Sequence, residues 1–256
     1  MPALKRIGHK GADLIAPGNT LASFDAALAA GVDMVEFDVL PERPGSDRLV
    51  LAHDYEDAAR RTPLTLEEGL AHFAQDAWVG VELDVDMKTS GYERRVVDAL
   101  RSFGLADRAL ISTMEVESLP IVRAAAPDIR LGWSVPKVKR NYLSNPFTKV
   151  PALAAAQYGR TALAIRGPRA IRAGRIDAIM SHWALVTARL ARGVRAAGGE
   201  LYAWTVDDPA RIARLQAIGV TGVITNDPRL FAAENARGPA SAGIGPTRPG
   251  SGTPSA

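Results

Sequence analysis

Residues 81–88 have the sequence VELDVDMK, and their alternation is the strongest indication of the fold. The even positions are charged and the odd positions are apolar. Because successive side chains of a strand point to opposite faces, this stretch predicts a strand with one charged and one apolar face. Buried charges are tolerated only when they are paired or bind a metal. We therefore expect the charged face to surround a cation, and it is formed by Glu82, Asp84, Asp86 and Lys88.

Residues 33–39, DMVEFDV, repeat this pattern earlier in the chain. Glu36 and Asp38 share one face of the predicted strand, about 6.6 Å apart, while the apolar residues between them face a helical layer. Solvated acids at a strand end would also give this pattern. A cation that bridges the two strands explains both stretches together. Three carboxylates and water form a hard-oxygen site, which suits Mg²⁺ or Ca²⁺.

The rest of the chain alternates between short apolar runs and helical patterns. Eight strands are predicted, at residues 5–9, 33–39, 78–86, 109–113, 129–135, 176–181, 200–206 and 220–225. Eight strands with intervening helices predict a closed (β/α)₈ TIM barrel, an α/β fold, in one domain of residues 1–235. A doubly wound open sheet is the alternative. No glycine-rich phosphate loop follows the first strand, however, and polar residues end nearly every strand, as in barrel enzymes.

Two segments lie outside the barrel pattern. Residues 48–53 follow a Pro-Gly turn and predict a short inserted strand in the loop after the second barrel strand. Residues 236–256 are rich in Gly, Pro, Ala and Ser without periodicity. Because such a segment buries little apolar surface, we expect a disordered tail there.

Composition limits the chemistry. The 256 residues are 47% hydrophobic, which is enough for a sizeable core. The net charge of +3 implies no general attraction to nucleic acid or membranes. Without cysteine, any metal is held by oxygen or imidazole. The N-terminus shows no secretory apolar region and no run is long enough to span a membrane, so we expect a cytoplasmic protein. The oligomeric state is left open.

Two of the four histidines follow predicted strands. His9 ends the first strand and His53 ends the inserted segment, so both imidazoles can reach the same mouth of the barrel. A lone histidine is more often structural, but two beside an inferred metal site favour acid/base chemistry. His72 falls in a predicted helix, at the surface. His182 follows the sixth strand and is a weaker candidate for the pocket.

Four separated motifs occur in order over about residues 5–232: GHKGADLIAPGNTLASFDAALAAGVDMVEFDV, LVLAHD, DVDMK and YAWTVDDPARIARLQAIGVTGVITNDP. Together they resemble the glycerophosphodiester phosphodiesterases of the phosphatidylinositol-phospholipase C-like superfamily. The resemblance implies a barrel that hydrolyses small phosphodiesters with a divalent cation at its C-terminal face. By position it implies an acid/base pair, His9 and His53; metal ligands, Glu36, Asp38 and Asp86; and substrate contacts, Lys10, Lys88 and Trp204.

The chain departs from the family pattern at three positions. The family usually has Arg at the position of Lys10. Lys10 replaces the bidentate phosphate contact of that Arg by a point charge. The family's Pro-Glu-Asn-Thr motif has Gly18 in place of the Glu. The acid before Lys88 is commonly Glu and is Asp86 here, which is similar to the related sphingomyelinase D type enzymes. These departures bear on the substrate more than on the reaction class.

Residues 136–175 contain nine Lys and Arg and no acid, and they begin at the predicted active-site face. The segment is either a solvated surface or a transient contact for an anionic membrane. Two alternatives to glycerophosphodiester hydrolysis also stay open. One is phospholipase D-like cleavage of phospholipids or lysophospholipids, and the other is an inactive barrel that binds anionic lipid or glycerophosphate ligands.

Overall fold

The computed structural model describes residues 3–137 and 146–235, with side chains omitted at 146–156 and 233–235. Eight parallel strands form a closed barrel, and a ninth short strand lies outside it. The barrel strands are β1 (Lys5–Gly8), β2 (Met34–Pro41), β4 (Glu82–Met87), β5 (Ala109–Thr113), β6 (Arg130–Val135), β7 (Ala178–His182), β8 (Glu200–Trp204) and β9 (Gly222–Thr225). The ninth is β3 (Leu49–Val50), antiparallel to β2.

The predicted TIM barrel is confirmed, and the open-sheet alternative is wrong. β1 pairs with β9 on one side and with β2 on the other, so the sheet has no free edge. The inserted strand is also confirmed as β3, although it is shorter than the predicted residues 48–53. The third predicted strand begins too early, because residues 76–78 form a 3₁₀ turn before β4. Residues 236–256, the predicted tail, lie outside the described residues.

Nine α-helices are described in residues 3–137 and 146–235. They are α1 (Leu21–Ala29), α2 (Tyr55–Arg60), α3 (Leu66–Phe73), α4 (Glu93–Ser102), α5 (Ser118–Ala125), α6 (Pro146–Arg172), α7 (Ala188–Ala196), α8 (Pro209–Ile218) and α9 (Leu230–Asn235). Local caps fix several starts, such as the capping box of α3 between Thr65 and Glu68. None of these helices combines the length and the apolar character that a bilayer-spanning segment needs.

The alternation along β2 and β4 separates two apolar layers. The odd-numbered side chains of both strands pack outward against the helices. There the Phe24 and Phe73 rings lie 4.8 Å apart, and Phe37 stacks on Phe73 at 5.2 Å. A smaller cluster that includes Ile7, Met34, Leu110, Met180 and Tyr202 fills the lumen. This inner cluster supports the polar mouth from below.

Charged residues close the opposite end of the lumen. Lys5 Nζ lies 2.7 Å from Glu82 Oε1, and Arg130 pairs with the other oxygen of the same carboxylate. Arg130 also reaches Glu200 at 3.3 Å. Glu82 is thus held between two cations at the start of β4, at the opposite end of the strand from Asp86.

Candidate active site

The polar pocket lies at the C-terminal ends of the barrel strands and has a volume of about 160 Å³. Six predicted site residues line it, namely His9, Glu36, His53, Asp86, Lys88 and Trp204. Asp38 lies just behind this lining, fully buried against Lys88. Lys10 is not among the lining residues and lies beside the pocket. The fold therefore brings seven of the eight predicted residues together.

The three predicted carboxylate ligands converge because β2 and β4 are paired in register. Asp38 lies opposite Asp86, one step above Glu36 and Asp84. One oxygen from each of Glu36, Asp38 and Asp86 lies within 4.8 Å of the other two. All three residues are buried. Burial and the neighbouring Asp38 raise the pKa of Glu36 well above its ordinary value.

Lys88 neutralises part of this cluster. Its Nζ lies 2.5 Å from Asp38 Oδ1 and 2.6 Å from Asp86 Oδ2. Burial alone would lower the pKa of Lys88, but the carboxylates of Asp38 and Asp86 raise it well above its ordinary value. The same ammonium outweighs the effect of burial on Asp38, whose pKa is lowered. When all three carboxylates are ionised, one ammonium leaves an excess of two negative charges. Burial and this excess are why the pKa of Glu36 is raised.

This donor set fits a divalent cation. Asp38 is fully buried, and Lys88 is the cation that contacts its Oδ1. Excess negative charge in a buried site is costly unless a further cation compensates it. The donors are hard carboxylate oxygens, which suit Mg²⁺ or Ca²⁺. Glu36, Asp38 and Asp86 are thus the residues that could hold the metal.

Asn19 fixes the orientation of Asp38. Its Nδ2 donates to Asp38 Oδ2 at 2.9 Å, and its Oδ1 accepts from the Asp38 backbone N–H at 3.0 Å. Asn19 adopts a φ of +59°, in the left-handed region that Asn tolerates better than most residues. The sequence analysis did not single out Asn19. The sequence feature that could have indicated its role is its position in the Pro17–Thr20 motif, directly after the departure at Gly18.

His9 is oriented by a chain of two further residues that the sequence analysis missed. Asn226 Nδ2 donates to Asp207 Oδ2 at 2.7 Å, so Asn226 Oδ1 faces His9 Nδ1 at 2.6 Å. Since that oxygen only accepts, His9 carries its proton on Nδ1 and leaves Nε2 free, 3.9 Å from Glu36 Oε2. Desolvation lowers the pKa of His9, although Asp38 and Asn226 act in the opposite direction. The imidazole is therefore neutral near pH 7.

His53 lines the same pocket and is more exposed than His9. Its side chain is 56% exposed, and its Nδ1 lies 3.1 Å from Asp54 Oδ2. The backbone N–H of His53 donates to Asp57 Oδ2 at 3.0 Å, which ties the loop to the first turn of α2. The two histidines thus differ in environment, one enclosed and one beside a carboxylate in contact with solvent.

Asp13 explains the departures at Lys10 and Gly18. Lys10 Nζ pairs with Asp13 Oδ2 at 2.6 Å, and the Gly18 N–H donates to Asp13 Oδ1 at 2.8 Å. A Cβ at position 18 would lie 2.6 Å from that Oδ1 and 2.8 Å from Lys10 Cβ. The Asp13 carboxylate therefore occupies the space beside Gly18 where the family's Glu would begin.

The remaining candidates take different positions. Asp84 lines the pocket one step below Asp86, and burial together with Asp86 raises its pKa to about 8. Trp204 forms a wall and packs edge-on against His182, which is not among the lining residues. His72 does not lie free on the surface as predicted. It is mostly buried against Trp78 and bonded to Asp25.

Comparison with known proteins places this site in a family. The model of the glycerophosphoryl diester phosphodiesterase family matches residues 9–63 and 60–230. A glycerophosphodiester phosphodiesterase of Caldanaerobacter subterraneus is 26% identical over 88% of this chain and 95% of its own length.

Solved structures share the fold. A glycerophosphodiester phosphodiesterase from Parabacteroides distasonis superposes with a TM-score of 0.69 at 16% identity, over 92% of this chain and 99% of its own. A phosphodiesterase of Oleispira antarctica, solved in complex with the product sn-glycerol-3-phosphate, gives a TM-score of 0.65 at 21% identity, over 90% and 96% of the two chains. Since the family model spans nearly the whole barrel, this chain belongs to the glycerophosphoryl diester phosphodiesterase family.

Proposed function

We propose that this enzyme hydrolyses glycerophosphodiesters to glycerol phosphate and an alcohol, with a divalent cation held by Glu36, Asp38 and Asp86. One observation carries the proposal. Two imidazoles in different environments and a buried cluster of three carboxylates adjoin one pocket at the mouth of the barrel. When bound, the cation supplies Lewis-acid polarisation of a non-bridging phosphate oxygen.

His9 is the general base in this proposal. Its Nδ1 proton is fixed by Asn226, so only Nε2 can accept a proton, and Nε2 is on the side of the metal ligands. The lowered pKa keeps the imidazole unprotonated near pH 7, as a base must be. Nε2 takes the proton of the nucleophile, which is either water or a neighbouring hydroxyl of the substrate that first forms a cyclic phosphate.

His53 is the general acid. The Asp54 carboxylate lies 3.1 Å from its Nδ1 and orients the ring, and the exposure of the side chain allows the proton to be replenished from solvent after each turnover. It donates to the leaving alkoxide as the P–O bond breaks. Assignment of the two roles rests on the difference in their surroundings, because both residues line the same pocket.

The pocket volume favours small substrates. About 160 Å³ is less than the ~300–1,000 Å³ that encloses a drug-sized ligand, so the pocket takes the phosphate and glycerol while the alcohol group extends outward. In this proposal Lys88 contacts the phosphate and Trp204 packs on the glycerol, which their positions in the pocket lining support. Lys10 contributes positive charge from beside the pocket, reduced by its pairing with Asp13.

The test is an assay of purified protein with glycerophosphocholine, a lysophospholipid and an aryl phosphodiester. Each is run with EDTA and after restoring Mg²⁺ or Ca²⁺. We expect glycerophosphocholine to be cleaved best, with activity lost in EDTA and regained with metal. Cleavage that persists in EDTA would refute the metal dependence. Preference for the lysophospholipid would favour the phospholipase D-like alternative, and binding without turnover of any substrate would favour the inactive barrel.

A further inference from the structure

A second cavity of the described residues lies on the flank of the barrel, away from the active site. It is a groove of about 850 Å³ between α5 and α6, floored by Trp133 of β6. α5 packs against α4 and α6 against α7, but α5 and α6 have no comparable contact in the described part of the chain. Among the residues that the structure describes, the helical layer is therefore open above β6.

Apolar side chains line the interior of this groove. Leu119 comes from α5, and Ile176 precedes β7. Ala170 near the end of α6 and Ala173 just after it contribute only small side chains. Trp133 points outward from β6, where its neighbours Leu131 and Val135 are buried, yet Trp133 is only half-buried. Val116 at the rim is 55% exposed. Such a contiguous apolar surface marks a binding site more often than an idle face.

Four arginines border this apolar surface: Arg123, Arg166, Arg169 and Arg175. Arg123 is held in place by Asp177 at 2.5 Å. The other three are exposed, and none is in an ion pair within the described residues. No acidic residue is among those that the structure describes as lining the groove. An occupant must therefore be apolar in its body and anionic at one end or edge.

We propose that this groove binds a single-chain anionic amphiphile, with the chain along Trp133 and Leu119 and the carboxylate at the arginines. Charge complementarity decides between occupants. A second copy docked through the same face would bring arginines against arginines. A bilayer surface cannot enter a concave groove, whereas one extended chain can. Arginine is also well suited to a carboxylate, which it binds in a bidentate manner.

The experiment uses a bromine-tipped medium-chain fatty acid, because bromine quenches tryptophan fluorescence on contact. The full-length protein is titrated below the critical micelle concentration, with the trimethylammonium of the same chain length in parallel. We expect saturable quenching by the fatty acid and binding at least about tenfold weaker for the cationic probe. Trp133→Phe should abolish the quenching. Quenching that persists in this variant would place the chain near another tryptophan and overturn the proposal.

A matched pair of variants tests the arginines. Arg166→Glu with Arg169→Glu on α6 should weaken fatty-acid binding by about tenfold or more. Arg189→Glu with Arg192→Glu changes the net charge equally on α7, outside the groove, and should leave binding within about twofold of the parent. Equal loss in both pairs would show non-specific attraction and refute the site. Tight binding of an acidic amphipathic peptide without fatty-acid binding would assign the groove to a protein partner and refute the proposal as well.

Discussion

Glu82 and Asp86 lie on the same face of one strand but have different partners. Their amide variants should therefore differ, one in stability and the other in metal binding. Asp86→Asn removes a carboxylate from the cluster at the mouth, whereas Glu82→Gln removes the shared partner of Lys5 and Arg130 at the floor. We expect Asp86→Asn to weaken divalent-cation binding by more than about 100-fold while the fold persists.

The cost of Glu82→Gln follows from its contacts. A charge-assisted hydrogen bond contributes about 1.5–3 kcal/mol, and Gln retains one carbonyl that can still accept from one of the two cations. The side chains involved are 19–28% exposed, so solvent screens them only partly. A net loss of about 2 kcal/mol would lower Tm by roughly 4–8 °C in a domain of this size.

The effect of Glu82→Gln should depend on pH. Desolvation acts to raise the pKa of Glu82, but Lys5 and Arg130 outweigh it and hold the pKa below its ordinary value. A carboxylate with a lowered folded-state pKa stabilises the fold above its unfolded pKa and loses this contribution as pH falls through the folded value. The stability difference between parent and variant should therefore be full at pH 7 and shrink below the ordinary pKa of about 4.5.

Calorimetric titration with Mg²⁺ or Ca²⁺ measures metal binding, and thermal unfolding at several pH values measures stability. Metal binding that is lost in Glu82→Gln and kept in Asp86→Asn would show that the depth assignment along β4 is wrong. A Tm difference that grows towards acid would refute the role given to Lys5 and Arg130.

Three further predictions concern the mouth of the barrel. His9→Ala and His53→Ala should each lower kcat by several powers of ten, with the double variant hardly worse than either, since the two act as one unit; near-normal turnover in one would remove it from the mechanism. Asn226→Ala should lower kcat by about 10–100-fold with little change in KM, because nothing then holds the His9 proton on Nδ1. An unchanged kcat would show that Asn226 is only structural. Charge reversal at Lys137, Lys139 and Arg140 should weaken binding to anionic vesicles at low salt. Lys137 pairs with Glu115, and residues 139 and 140 lie outside the described residues. Unchanged vesicle binding would show that this basic segment is only a solvated surface.

Parity along two strands was enough to predict two facing rows of acids, and the family resemblance selected Asp86 among the acids of β4. Side chains two residues apart share a face, and the paired strands only had to align, as they do at Asp38 and Asp86. The barrel itself followed from the eight apolar runs. Strand ends were less accurate, because the apolar residues Trp78, Val79 and Val81 before β4 give the same signal as a strand, although Trp78 belongs to a 3₁₀ turn.

Orienting residues could not be predicted in this way. Asn19 and Asn226 act through side-chain amides whose partners are 19 and 217 residues away in the sequence. No local periodicity marks such a contact. The groove above β6 could not be predicted either. It arises because α5 and α6 do not pack against each other, and the sequence of neither helix shows this.

The Asp13 carboxylate beside Gly18 has a consequence for the history of this loop. With Asp13 present, a Glu at position 18 would meet an oxygen at 2.6 Å, so the side chains of both positions cannot coexist without a shift. Restoring the family's Glu alone should therefore be harmful, and replacing Asp13 by a small residue should relieve only part of the conflict, because Lys10 Cβ would still lie 2.8 Å away. Positions 10, 13 and 18 are thus coupled, and a side chain at position 18 requires both of its neighbours to move or change.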